Sequence, residues 1–168
     1  MNQDDAYEPL GHEEMRCMLE DHSLGIQTEG QQGIFLSISG ALIENYNFDN
    51  LNLSGVQFFF SKMIGCSFRH SDLYGCKFYE TSISNCDFTG ANLAKAEIYS
   101  ATADYAIFEN ANLTRTEYIN TSLRHAVFKH AKLLATIIGD CDITDVNLEG
   151  ITAEDALKIL SNNITDDY

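Results

Sequence analysis

Hydrophobic residues recur at a period of five between positions 36 and 150. From Leu36 onward, the third residue of each five-residue unit is Leu, Ile, Phe, Met or Tyr, with Ala103 as the exception, and the first residue is small in most units. Neither the 3.6-residue period of a helix nor the two-residue period of a long strand fits this pattern. Residues two apart share one side of an extended segment. Each unit therefore predicts a very short strand followed by a corner, with its first and third side chains pointing inward.

Residues 20 positions apart are chemically alike, which predicts that four units make one coil. Two columns of third-position residues are nearly uniform: Phe48, Phe68, Phe88, Phe108, Phe128, Leu148, and Leu53, Leu73, Leu93, Leu113, Leu133. Uniform columns are expected where each coil packs closely on the next. The 23 consecutive units of residues 36–150 predict a shaft of about 5.75 coils, about 28 Å long at a strand spacing of roughly 4.8 Å.

The N-terminal residues predict a helix that covers the first coil. A solenoid exposes a strand edge and an apolar cross-section at each end, so its terminal segments should differ from its repeats. Residues 9–22 place Met15, Met18 and Leu19 at helical spacing. We expect a short amphipathic helix there, with Pro9 near its start, followed by a Gly-rich turn.

The C-terminal residues predict a second short helix. Thr152 and Asp155 form a start resembling a capping box before the segment AEDALKIL, and a polar tail follows. An acidic leader with its helix, the repeat solenoid, and the C-terminal helix with its tail then occupy residues 1–35, 36–150 and 151–168.

The repeat resembles that of the pentapeptide-repeat family, whose consensus A(D/N)Lxx is nearly literal in the units ANLAK, ANLTR and SDLYG. The resemblance implies an all-β fold, a right-handed quadrilateral β-helix, with short helical caps at both ends. The segment DVNLEGITAEDALKIL is also similar to the C-terminal segment through which the plasmid quinolone-resistance members dimerise. That similarity implies a homodimer contact through Ala156, Leu157, Ile159 and Leu160. The alternative is that the same helix only caps its own coil.

One outward column carries three stacked aromatic residues. We call the side of the solenoid formed by units 36–40, 56–60, 76–80, 96–100, 116–120 and 136–140 the aromatic face. Its fourth positions include Phe59, Tyr79, Tyr99 and Ile119, and Phe60 lies beside them. Acidic residues border the column at Glu80, Glu97 and Glu117. An exposed aromatic stripe with a charged rim is typical of a partner-binding surface. The alternative is that the rings only stabilise the sheet by cross-strand stacking.

The residues that usually carry chemistry fall on positions that favour a structural role. Four cysteines occupy inward first positions, and three histidines occupy fifth positions at the corners: Cys66, Cys76, Cys86, Cys141, His70, His125 and His130. Cys66 and Cys86 are 20 apart and should lie near disulfide reach, but thiols also serve as small apolar fillers. No zinc spacing, nucleophile elbow or phosphate loop is present in the sequence. We expect no catalytic site, no metal site and no cofactor, and therefore no enzyme.

The formal charge of −15, from 25 acidic and 10 basic residues, argues against direct binding to nucleic acid or to an anionic membrane. A strongly acidic rod could imitate DNA, but most of the charge lies at the ends. Residues 1–35 hold 8 acidic and 1 basic side chains, residues 36–150 hold 13 and 8, and residues 151–168 hold 4 and 1. Along the solenoid, the aromatic face has a net charge of −3, the next two faces have −2 each, and the Leu-stacked face has +2.

The function predicted from these features is a non-catalytic scaffold that binds another protein through the aromatic face. The alternative, implied by the family resemblance, is a DNA mimic that binds DNA gyrase or topoisomerase IV and modulates quinolone sensitivity. The weak and uneven charge of the solenoid favours the scaffold, since DNA carries a charge about every 1.7 Å. We expect a bacterial protein, and a cytoplasmic one because no long apolar run and no secretory signal is found in the sequence.

Overall fold

The computed structural model describes residues 7–152, which form one helix and a stack of short strands. The helix, α1, spans His12–Gln27. The strands are β1 (Glu8–Pro9), β2 (Ser37–Ser39), β3 (Ala41–Glu44), β4 (Gln57–Phe59), β5 (Lys62–Ile64), β6 (Lys77–Tyr79), β7 (Glu97–Tyr99), β8 (Glu117–Ile119) and β9 (Ile137–Gly139). Within this range, no helix has the length and apolar character needed to cross a bilayer.

The strands stack in parallel with a register of 20 residues, which gives a β-solenoid of about five turns. Strands β2, β4, β6, β7, β8 and β9 form a six-stranded sheet in that order, with pairs such as Phe58↔Phe78 and Phe78↔Ile98. On the other sides of the coil, single parallel bridges such as Asn52↔Asp72 keep the same register. The predicted coil of four units is therefore confirmed.

A left-handed backbone conformation makes the corners of the coil. Every fifth residue from Gly40 to Gly150 has a positive φ, including non-glycine residues such as Phe60 (48°) and His70 (56°). At many corners the next residue donates its N–H to the carbonyl of the third residue of the unit just ended, as from Val56 to Leu53 at 3.1 Å. Glycine and asparagine tolerate this conformation best. The corner, rather than a continuous strand, sets the period of five.

The core of the solenoid is built from the first and third residues of the units, as the sequence predicts. The Phe column stacks ring on ring, with centroids 4.5 Å apart between Phe48 and Phe68. Polar first-position residues satisfy their hydroxyl groups on main-chain carbonyls: Thr81 Oγ1 donates to Phe58 O at 3.0 Å and Thr116 Oγ1 to Leu93 O at 2.8 Å. Small hydroxyl residues can therefore replace Ala at these positions without leaving a buried donor unpaired.

The predicted N-terminal helix is present and packs on the first coil. Met15 is fully buried, and Met18 and Leu19 pack against the same cluster. Helix α1 continues to Gln27, five residues beyond the predicted segment. In the second half of α1, His22 is also buried, and its Nδ1 accepts a hydrogen bond from the N–H of Leu36 at 3.0 Å.

The expected position of Pro9 at the start of the helix is wrong. Pro9 lies in β1, which pairs in parallel with β3 and adds an extra rung to the first coil. The N–H groups of Glu8 and Leu10 donate to Gly40 O and Leu42 O at 2.9 Å. Pro9 needs no such bond because it has no N–H, and proline is tolerated on an edge strand for that reason.

The last coil is less enclosed than the middle of the stack. Ile143, Leu148 and Ile151 are only partly buried, whereas Phe88 and Phe108 are fully buried. The predicted C-terminal helix, with Ala156, Leu157, Ile159 and Leu160, lies outside the described residues.

Candidate functional site

The aromatic face is the six-stranded sheet, and its fourth-position side chains form a ladder along the solenoid. The ring centroids of Phe59 and Tyr79 are 5.4 Å apart, with the planes tilted by 44°. Those of Tyr79 and Tyr99 are 5.1 Å apart and nearly parallel, at 3°. Ile119 continues the column in register with Tyr99, and Gly139 ends it. The coil spacing therefore holds three rings in ordered contact.

The ladder is less exposed than the sequence suggests, which corrects the expected exposed stripe. Phe59, Tyr79, Tyr99 and Ile119 are all of intermediate burial, because the neighbours above and below each ring cover part of it. Phe60, at the corner beside the ladder, is 53% exposed. The accessible surface therefore consists of ring edges, hydroxyl groups and the Phe60 ring.

Two of the three predicted acidic residues contact the ladder directly. The hydroxyl of Tyr79 donates to Glu97, and that of Tyr99 donates to Glu117. The Glu117 carboxylate, followed by burial, raises the pKa of Tyr99 to about 12, so its hydroxyl stays protonated and remains a donor at neutral pH. Glu80 instead lies exposed at a corner with a φ of 50°.

Lys77 belongs to this surface and was missed by the sequence analysis. Its Nζ lies 3.1 Å from the carboxylate of Glu97 and 3.4 Å from Tyr79 Oη. Its distance to the centroid of the Tyr79 ring is 5.6 Å, on the hydroxyl side of the ring. The signal was available, because Lys77 and Glu97 are 20 apart and occupy the same second-position column.

A second exposed apolar residue on this face was also missed. Ile137 is 45% exposed and pairs in register with Glu117. It occupies a second position, where most units carry a polar residue. The aromatic face thus combines an ordered ring ladder with two exposed apolar side chains, Phe60 and Ile137, and with fixed carboxylates between them.

The inward thiols lie away from this surface and from solvent. The four inward cysteines are buried: Cys66, Cys76, Cys86 and Cys141. None of the described cysteines forms a disulfide. Burial raises the pKa of Cys76 and of Cys141. The thiol of Cys86 lowers the pKa of Cys66 through their side-chain hydrogen bond. The predicted proximity of Cys66 and Cys86 is therefore observed as a contact between free thiols.

The predicted corner histidines do not gather into a site. The ring of His125 stacks on Tyr105 at 4.7 Å, and its Nδ1 lies 3.6 Å from Asp145. His70 and His130 each lie against a glycine of the next coil, Gly90 and Gly150. Across residues 7–152, no group of three or more His, Cys, Asp or Glu side chains is arranged to hold a metal ion.

Comparison with known proteins identifies the repeat. The family model "Pentapeptide repeats" matches in 8 copies over residues 52–90, 76–115, 91–129 and 106–150. No curated protein sequence matches the chain.

Solved structures with similar folds are themselves pentapeptide-repeat proteins. Rfr23 from the cyanobacterium Cyanothece 51142 has a TM-score of 0.52 at 16% identity, over 77% of this chain and 98% of that one. The plasmid-mediated fluoroquinolone resistance protein QnrB1 has a TM-score of 0.42 at 19% identity, over 71% and 79%. A protein of the Arabidopsis thaliana thylakoid lumen has 0.36 at 21%, over 79% of each chain. The family model and the fold shared with Rfr23 lead to one conclusion: the chain belongs to the pentapeptide-repeat family.

Proposed function

We propose that this protein is a non-catalytic scaffold that binds another protein through the aromatic face. The observation that carries the proposal is the ring ladder of Phe59, Tyr79 and Tyr99, held in contact by the coil spacing. Binding normally costs free energy because side chains lose rotamer freedom at an interface, and rings that are already ordered reduce this cost. Aromatic residues are also enriched at interface centres.

The environment of the inward polar side chains supports a non-catalytic role. Thr81 and Thr116 donate their hydroxyl groups to main-chain carbonyls inside the coil, and burial raises the pKa of Cys76. A nucleophile needs access to substrate and a base or a lowered pKa. These side chains pack the core instead. The outer surface is therefore the part of the solenoid where we place the function.

The arrangement of charge favours this scaffold over a DNA mimic. Lys95 and Arg115 lie at successive corners that border the aromatic face, and Lys95 extends over the Tyr74 ring at 5.2 Å. A duplex would instead present negative charge at regular intervals along its length. We therefore assign the negative charge of the aromatic face a local role in partner binding.

Substitution of the tyrosines tests the proposal. We expect a Tyr79→Ser, Tyr99→Ser double variant to lose the partner recovered by chemical cross-linking from the native host, because both rings leave the ladder. Tyr105→Ser is the matched control, since Tyr105 is an exposed tyrosine at a corner away from the aromatic face. Mass spectrometry of the cross-linked species measures the outcome, and circular dichroism checks the fold. Equal recovery of the partner by the double variant and the control would contradict the proposed function.

A further inference from the structure

The contact of Lys77 with Tyr79 and Glu97 shows how this surface holds a cation. One ammonium group lies near both a carboxylate and a phenol oxygen, at 3.1 Å and 3.4 Å, beside the hydroxyl end of the Tyr79 ring. The hydroxyl of Tyr79 donates to Glu97, so the ring and the carboxylate are fixed relative to each other. An ion pair and a hydrogen bond therefore act on one group.

The same ring and carboxylate recur one coil further along. Register pairs Tyr79 with Tyr99 and Glu97 with Glu117, and Tyr99 donates to Glu117 as Tyr79 does to Glu97. The position equivalent to Lys77 is Glu97. The second copy of the arrangement thus has a tyrosine, Tyr99, and a carboxylate, Glu117. It has Glu97 at the position where the first copy has Lys77.

The surroundings of the second copy concentrate negative charge. Among residues 7–152, no ion pair joins Glu117 to a lysine, arginine or histidine. Glu97 contributes a second carboxylate from the adjacent strand, and Ile137, on the far side of Glu117, is apolar and partly exposed. A cation placed here would meet the Glu117 carboxylate, the edge of the Tyr99 ring and the apolar Ile137, next to the Glu97 carboxylate that already pairs with Lys77.

We propose that the pair Tyr99 and Glu117 is the anchor point for an arginine or lysine side chain of the partner protein, which therefore presents a basic segment to the aromatic face. This inference rests on the proposed function and names the chemistry of its partner. An arginine suits the site best, because its planar guanidinium can donate two N–H groups to the Glu117 carboxylate while it lies along the exposed edge of the Tyr99 ring. The net charge of −3 on the aromatic face attracts such a segment from solution.

A defined peptide tests the anchor point directly. The probe is a seven-residue peptide with one central arginine, and its control is the same peptide with citrulline, which keeps the shape and removes the charge. Titration followed by NMR should show saturable shifts at Tyr99 and Glu117 with the arginine peptide only. Added salt should weaken the binding, because the ion pair is exposed.

Two variants that each remove one negative charge show whether peptide binding depends on Glu117 itself. Glu117→Gln should weaken peptide binding about fivefold, consistent with about 1 kcal/mol for a partly exposed ion pair. Glu109→Gln removes the same charge from another face of the solenoid and should leave the affinity unchanged. Equal affinity of the two variants, or binding of the citrulline peptide as tight as that of the arginine peptide, would overturn the inference.

Failure of the inference can be told apart from failure of the proposed function. If Tyr79→Ser, Tyr99→Ser loses the cross-linked partner and Glu117→Gln retains it in full, the aromatic face binds a protein but not through this anchor. If the double tyrosine variant also retains the partner, the proposed function itself is wrong. Loss of the partner with both, and retention with Glu109→Gln, supports both proposals.

Discussion

Tyr118 introduces a polar atom into the central column of the aromatic face, which otherwise contains only Ile and Phe. The side chain is fully buried between Phe108 and Phe128, with ring centroids at 5.9 Å and 6.0 Å. Its hydroxyl has no hydrogen-bond partner within the described part of the chain. A buried hydroxyl without a partner lowers stability, since it has lost its hydrogen bonds to water.

Removing this hydroxyl should therefore stabilise the solenoid. We expect Tyr118→Phe to raise the free energy of unfolding by about 1 kcal/mol, measured by urea denaturation followed by circular dichroism. Phe78→Tyr is the converse control, because Phe78 is a fully buried member of the same column, and it should lower the stability. A lower urea midpoint for Tyr118→Phe would show that its hydroxyl is satisfied in solution.

For individual residues, the sequence predicts whether a side chain points inward or outward better than it predicts how far that side chain is buried or whether it is hydrogen-bonded. The period of five identifies the inward positions, and Thr81 and Cys76 are buried as expected. The half-burial of Tyr79 and Tyr99 and the unpaired hydroxyl of Tyr118 depend on the height and tilt of neighbouring rings. Those quantities are set by packing between coils, which a one-dimensional pattern does not contain.

At the scale of elements, the attachment of α1 depends on a titratable side chain. His22 is 1% exposed, and its Nδ1 accepts from the N–H of Leu36, where the chain enters the first coil. Burial lowers the pKa of His22 below its usual value. Protonation would turn Nδ1 from a hydrogen-bond acceptor into a donor. It would then face the N–H of Leu36, which is also a donor.

Helix α1 should therefore dock less stably in acid. Because the docked state has the lower pKa, the undocked state binds the proton more readily, and the stability of docking falls as the pH drops below about 6.5. The slope is at most about 1.4 kcal/mol per pH unit for one proton. Hydrogen exchange of α1 amides at several pH values between 7.5 and 5.5 measures this loss.

A non-titrating variant provides the control for this pH dependence. In His22→Asn, a side-chain oxygen can accept the Leu36 N–H bond at every pH, so the loss between pH 7.5 and 5.5 should be smaller than in the unmodified chain. An identical pH profile for both proteins would assign the effect to the carboxylates of α1 instead.

Helix α1 also shows where local patterns succeed and where they fail. Met15, Met18 and His22 share one side of the helix at spacings of three and four, so the burial of His22 could have been predicted from the same periodicity. The strand at Pro9 could not, because β1 forms only through pairing with β3, which lies more than 30 residues further along the chain. Such a pairing leaves no period in the sequence of the N-terminal segment.

Within residues 36–152, the molecule is a stack in which each coil pairs with the coils directly before and after it. In such an architecture, local stability is a sum of terms for each coil and its two interfaces. The middle coils are fully packed on both sides, as around Phe88, whereas Leu148 in the last described coil remains partly exposed. Stability should therefore vary along the axis rather than be uniform.

Hydrogen exchange along the axis should reveal this gradient. Backbone amides that bond to the next coil near the middle, such as Phe88 to Ile107 and Phe68 to Asp87, should be the most protected. Those of the last coil, such as Asn147 to Ala126, should exchange faster, because fewer neighbours hold them. Exchange followed by mass spectrometry measures both, and uniform protection would indicate that the solenoid unfolds as a single cooperative unit.

The constant register of 20 residues determines which residues share a face of the solenoid, because each unit of five carries the chain from one face to the next. Inserting one extra unit between Glu80 and Thr81 would preserve the inward pattern of every later unit. It would also turn all that follows onto the neighbouring face, separating Tyr79 from Tyr99. Inserting four units would restore the alignment and only lengthen the shaft. Changes in length that preserve the recognition surface are therefore restricted to whole coils, although the core itself accepts any multiple of five.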